Sequence, residues 1–149
     1  MRSNDNQRIP SHHVVVIGYG NTLRCDDAAG LVVADKLSRT FRGNGVEIIT
    51  CHQLLPEHAA SLSGAGLVIF IDASAELPAG EVRLEPVEPT GAYAMTLGHH
   101  LGPETLLSWV TGLYGDRPQA WLCSIGVESL EHGEGLRSEE HTSELQSPC

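Results

Sequence analysis

Two carboxylates and an imidazole, drawn from three separate connections, are the side chains of this 149-residue sequence best suited to chemistry. Asp27 follows the stretch Gly18-Tyr19-Gly20-Asn21, Asp72 closes the apolar run at 67–71, and His99 stands shortly before Pro103. A mixed oxygen and nitrogen set of this kind suits a borderline divalent ion such as nickel or zinc, and three ligands leave a coordination position open. An open position admits a substrate group or a water, which metal-assisted hydrolysis requires. Spacing alone is weak support, because the three residues are far apart in the chain. Each also has a plainer use: Asp27, or Asp26 beside it, as the cap of the next helix, Asp72 as a strand-ending residue, His99 and His100 as parts of a loop. Only their convergence favours a site.

The elements around them decide whether they converge. Residues 13–18 (HVVVIG) form a continuously apolar, β-branched run ending at glycine, the pattern of a strand buried on both faces. From about 28 to 41, Leu31, Ala34, Leu37 and Phe41 recur at helical spacing, with Asp26 and Asp27 standing where an N-cap belongs. Strands are expected at 46–50 and 67–71, with a short helix over 56–63 opened by Pro56. The run at 81–85 alternates and reads as a half-exposed strand. Only residues 72–80 precede it, too few for a parallel crossover of about a dozen residues, so an antiparallel placement is expected. A helix over 103–113 opens with Pro103, carries Glu104 in its first turn and aligns Leu106, Leu107, Val110 and Leu113 on one face. A last buried strand follows at 120–125.

This order predicts a three-layer α/β fold: a mostly parallel, twisted sheet of about five strands with helices on both faces and one antiparallel strand. Ligands of such sheets bind at the carboxyl edge. The helix at 103 leads into a parallel strand, so it starts at that edge and brings His99 with it, to join Asp27 and Asp72.

Composition sets further limits. Hydrophobic residues make up 41% of the chain and charged residues 19%, enough to bury one core in one domain. With 9 Lys and Arg against 19 Asp and Glu the formal charge is −10, and no two basic residues are adjacent, so neither nucleic acid nor an anionic membrane is an expected partner. The longest apolar runs, 28–34 and 64–71, fall far short of the roughly 20 residues of a membrane helix, and the polar start MRSNDNQRIPSHH is no secretory signal. Cys25, Cys51, Cys123 and Cys149 show no CxxC spacing, and Cys51 and Cys123 are expected as buried thiols in a reducing cytoplasm.

The glycines after the first strand suggest a dinucleotide loop, but Leu23 replaces the third glycine and no acid ends the second strand at Thr50 and Cys51. A tight turn using glycine's permissive backbone is the expected role of Gly18 and Gly20. Residues 1–12 are expected to be a disordered N-terminal segment, and 13–136 the folded domain. Residues 137–149 (RSEEHTSELQSPC) lack apolar periodicity, and RSEEHTSELQS resembles a conceptual translation of a common sequencing-adapter read. That tail is set aside as artefactual.

The strings GYGNTLRCDDAAG (18–30), CHQLLPEHAASL (51–62), VIFIDAS (68–74), HHLGPETLL (99–107) and IGVESLEHGEGL (125–136) together resemble the hydrogenase maturation protease family, in order and over nearly all of 14–136. The first is the most specific, since GxGNxLRxDD straight after a buried strand is hard to meet by chance. The resemblance implies a processing endopeptidase that removes a C-terminal extension from the large-subunit precursor of nickel-iron hydrogenase once nickel is inserted. It implies an aspartyl-type, nickel-recognising site in which Asp27, Asp72 and His99 contact the metal. His100 is the less favoured histidine, and Asp26 is a candidate base. It implies that the nickel belongs to the substrate, so the enzyme needs no cofactor of its own. Two departures stand out: Ala28 replaces a glycine common after the paired acids, and after GEGL the tail replaces a final helix. Each large apolar side chain lost with that helix forgoes roughly 1.5 to 3 kcal/mol, so the chain is expected to be poorly stable.

Overall fold

The computed structural model describes residues 13–20, 28–41, 45–90 and 101–128. In chain order the elements are β1 (Val14–Tyr19), α1 (Ala29–Thr40), β2 (Val46–Cys51), α2 (His58–Leu62), β3 (Leu67–Ser74), β4 (Val82–Pro86), α3 (Pro103–Tyr114) and β5 (Gln119–Gly126). The five strands form one sheet in the order β2-β1-β3-β5-β4. β1 pairs in parallel with β2 and β3, β3 in parallel with β5, and β4 antiparallel with β5. β4 therefore runs against β3, as its short connection requires, and takes its place on the far side of β5.

Strand alternation divides the buried residues between two faces. On one, Val15 and Ile17 of β1, Val68 and Phe70 of β3 and Ala120 of β5 pack with Ala59 and Leu62 of α2 and Leu106, Leu107 and Val110 of α3. Phe70, Ile17, Leu62 and Leu106 are fully enclosed, and each contributes roughly 1.5 to 3 kcal/mol of burial. On the other face α1 lies directly on the strands. A β-carbon added at Gly18 would come within 2.6 Å of the Ala34 β-carbon and closer still to the Gly30 carbonyl oxygen. Gly18 thus serves a close strand–helix approach inside β1. Its φ is not positive, so the turn role expected from sequence is corrected.

The ends of several elements also differ from expectation. Residues 55–57 form a turn ahead of α2, in which the Leu55 N–H donates to His58 Nδ1 at 2.9 Å, so the helix opens at His58 rather than at Pro56. β3 continues to Ser74 because β5 supplies pairing partners beyond the end of β1. The capping position of α1 is Ala28, whose side chain cannot cap; Asp26 and Asp27 precede it and lie outside the described residues. Phe41 and Leu113, expected on the inner faces of their helices, are 42% and 57% exposed. Cys51 and Cys123 are free thiols but half-buried rather than buried. Among the described residues no helix is long and apolar enough to cross a membrane.

α3 begins at the carboxyl edge of the sheet. Gly102 is extended, Pro103 takes the first helical position, and Glu104 lies in the first turn, where a negative charge suits the helix dipole. At its other end Gly115 adopts φ 73°, and its N–H donates to the Thr111 carbonyl at 2.9 Å, the glycine C-cap geometry. The Ser108 hydroxyl, buried in α3, donates to the Glu104 carbonyl at 3.0 Å and accepts the Thr90 N–H at 2.8 Å, which ties the segment after β4 to the helix.

Candidate active site at the carboxyl edge

Asp72 is the sequence-predicted site residue that lies within the described part of the chain. It sits inside β3 rather than at its end, opposite Ser124 of β5, yet it is the first residue past the ladder with β1, whose last partners are Gly18 and Ile71. On the β1 side it therefore faces the open carboxyl edge. By alternation it shares the α2–α3 face with Val68 and Phe70.

Tyr19 is its counterpart on β1. It follows Gly18 as Asp72 follows Ile71, and it lies on the same face as Val15 and Ile17. The Asp72 carboxylate acts on its hydroxyl both by charge and by hydrogen bonding. Burial is the main influence holding the phenol protonated; the charge of Asp72 and this hydrogen bond push in the same direction, followed by the charges of Glu104 and Cys51. One strand further, Cys51 pairs with Tyr19 at the end of β2, and its carbonyl accepts the Gly20 N–H at 3.2 Å. Burial raises the Cys51 thiol, which makes it a poor nucleophile near neutral pH. Cys51, Tyr19 and Asp72 thus cross three neighbouring strands along one edge, with the first turn of α3 close enough for Glu104 to act on Tyr19.

α1 fixes this edge from the opposite face. A β-carbon at Gly30 would reach within 2.7 Å of the Tyr19 carbonyl oxygen and still closer to that of Ile71, so the first turn of the helix rests on the backbone of both strands just where they present Tyr19 and Asp72. Tyr19 is the member that sequence reasoning missed. The available signal was its position after Gly18 at the end of an expected parallel strand, next to the strand that ends in Asp72.

Asp26, Asp27, His99 and His100 lie outside the described residues, and among those described no group of three or more His, Cys, Asp or Glu side chains is arranged to hold a metal ion. Asp72 is the described member of the expected set: a half-buried carboxylate, a group that in general can accept a proton, a hydrogen bond or a metal. A cleft of about 200 Å³ bordered by Val87, Leu107, Arg117 and Pro118 lies at the opposite, amino edge of the sheet, away from these residues.

No protein-family model and no curated protein matches the sequence. Solved structures do. The nickel-iron hydrogenase maturation protease HycI of Thermococcus kodakarensis is similar with a TM-score of 0.62 and 24% identity, over 81% of this chain and 80% of that one. The hydrogenase 2 maturation peptidase of the Thaumarchaeota archaeon SCGC_AB-539-E09 is 28% identical over 88% of this chain and 92% of its own, with a TM-score of 0.54. A peptidyl-tRNA hydrolase of Acinetobacter baumannii shares the frame at 15% identity, over 86% and 74% of the two chains, with a TM-score of 0.50. The frame alone therefore does not choose a reaction.

Fold and site together define an open, three-layer α/β protein whose polar residues gather at the carboxyl edge of a mostly parallel sheet. Its ordered motif strings resemble those of the hydrogenase maturation proteases, and it shares the fold of solved members of that family.

Proposed function

We propose that this protein is the endopeptidase that removes the C-terminal extension of a nickel-iron hydrogenase large-subunit precursor after nickel insertion. The observation that carries this reading is the position of Asp72, one residue past its last β1 partner and level with the strand end from which the GYGN…DD string continues. The similarity to a 28% identical hydrogenase maturation peptidase over most of both chains supports it.

Nickel enters as cargo of the substrate. Asp72, joined by Asp27 and His99, would take up the open coordination positions of nickel already held by the precursor, which anchors the scissile bond at the carboxyl edge. Recognition of the metal and selection of the substrate are then one event, and a precursor without nickel supplies no bridge. A carboxylate near a carbonyl or water so placed can act as base, with Asp26 as candidate, which is the sense in which the peptidase is aspartyl-type. The setting is the cytoplasm, where the free thiols of Cys51 and Cys123 persist.

The test is cleavage of nickel-loaded precursor by the purified protein, followed by mass spectrometry, beside Asp72→Asn, Asp27→Asn and His99→Ala. The wild type removes the extension, the three variants lose about 100-fold or more of the rate, and nickel-free precursor stays intact. Equal processing by wild type and Asp72→Asn refutes the assignment. Tight nickel binding without cleavage makes the protein a nickel-delivery module instead.

A further inference from the structure

We propose that the outer edge of β4 pairs with β4 of a second copy of this chain, antiparallel about a twofold axis at Leu84, joining two sheets into one. β5 separates this edge from the β3 strand that carries Asp72, so the proposal stands apart from the endopeptidase reading.

The bonds to β5 decide which backbone groups are free. The Glu81 carbonyl accepts the Gly126 N–H at 2.7 Å and the Val87 N–H donates to the Ala120 carbonyl at 3.0 Å, so the odd-numbered residues turn their backbone toward β5. Alternation then directs the backbone groups of Val82, Leu84 and Pro86 outward, and no other described strand pairs with them. The side chains of these three residues share one face of the strand, those of Arg83 and Glu85 the other, and all five residues are exposed. Neither Arg83 nor Glu85 is in an ion pair with another described residue.

The sequence of β4 is complementary to itself in one register. With the axis at Leu84, that leucine meets its own copy and Val82 meets Pro86 of the second copy, which makes a continuous apolar row. On the other face Arg83 meets Glu85 of the second copy, and Glu85 meets its Arg83. An axis at Arg83 or at Glu85 sets like charges directly opposite, which is unfavourable, and an axis at Val82 or Pro86 leaves half of the strand unpaired. The favoured register forms hydrogen bonds from the Leu84 N–H to the Leu84 carbonyl and from the Val82 N–H to the Pro86 carbonyl, each made twice by symmetry. Pro86 has no N–H to return, and the charge of −10 sets the two copies against each other, so the pairing is reversible and concentration-dependent.

The experiment is sedimentation equilibrium of the purified chain up to about 1 mM, beside Arg83→Glu, Glu85→Arg, an equimolar mixture of these two variants, and the double reversal Arg83→Glu with Glu85→Arg. Wild type forms dimers. Each single reversal sets two like-charged pairs opposite one another and weakens dimerisation about tenfold. The mixture recovers it, because each variant then offers the charge that the other lacks, although both remain net negative. The double reversal dimerises like wild type, which a folding defect in either substitution would not allow. A wild type that stays monomeric overturns the proposal. Single reversals that dimerise like wild type, or a mixture that associates no better than its two components, overturn it as well.

Discussion

Gly30 abuts the carbonyl oxygen of Tyr19 so closely that a β-carbon there would lie 2.7 Å away, inside any normal contact, with the Ile71 carbonyl nearer still. Both obstacles are backbone and cannot rotate aside. Gly30→Ala therefore forces α1 off the ends of β1 and β3, the two strands that carry Tyr19 and Asp72. The expected destabilisation is about 1 to 3 kcal/mol in urea unfolding, the usual range for overpacking. Precursor cleavage is expected to fall further than the loss of folded protein explains, because the displaced strand ends carry the proposed site. Unchanged stability and rate would show that the helix does not brace this edge.

Phe70 makes the complementary case from the core side. It is completely buried between the sheet and α2–α3, two residues before Asp72 on the same face. Phe70→Ala leaves a cavity beneath the site and is expected to cost about 3 to 5 kcal/mol, a large part of a domain's stability. Its urea midpoint drops accordingly. A change below about 1 kcal/mol would mean that the core relaxes to fill the space.

How much of this was legible in the sequence follows from which signals are local. The buried strands HVVVIG and LVIFI declare themselves by unbroken β-branched runs, and α3 by its proline start and apolar face, so sheet, helices and the reversed β4 were readable. The ends were less so. Pairing sets them, and the extension of β3 past Asp72 depends on β5, about fifty residues away. The role of Gly18 was misread for a related reason: a close helix approach and a turn both call for glycine, and only the packing of Ala34 separates them. Asp72 was legible as a carboxylate on an apolar strand. Its partner Tyr19 was not, because an aromatic residue after a strand glycine carries no local mark, and the pairing of Gly18 with Ile71 is a tertiary fact.

Alkaline pH should weaken the fold in a predictable direction. Burial raises the Cys51 and Cys123 thiols above their ordinary value of 9.0, and burial together with Asp72 raises Tyr19 above 10.0. A group whose pKa is higher in the folded state binds its proton more tightly there. Its contribution is complete below the unfolded pKa and is lost as pH rises toward the folded one. The urea midpoint is therefore flat near pH 7 to 8 and falls progressively above about 9. In Cys51→Ser the early part of that fall is smaller. A midpoint that rises between pH 8.5 and 10 would contradict the burial of these groups.

The outer strand of the sheet suggests the last prediction. α1 packs across β1, β2 and β3, while β4 is the terminal strand beyond β5 and all five of its residues are exposed, with Val82 at 56% and Leu84 at 59%. The register pairs these two with Ile125 and Cys123, which places Val82 and Leu84 together on one face of the edge strand. An exposed edge bearing adjacent apolar side chains is a template for pairing with another chain, and natural sheets blunt such edges with lysine. The double substitution Val82→Lys and Leu84→Lys removes little buried surface, so the free energy of urea unfolding shifts by no more than about 0.5 kcal/mol per site. Light scattering at rising protein concentration then shows less association than wild type. If the variant unfolds far more readily instead, the two side chains support the fold itself, and the edge is not the origin of association.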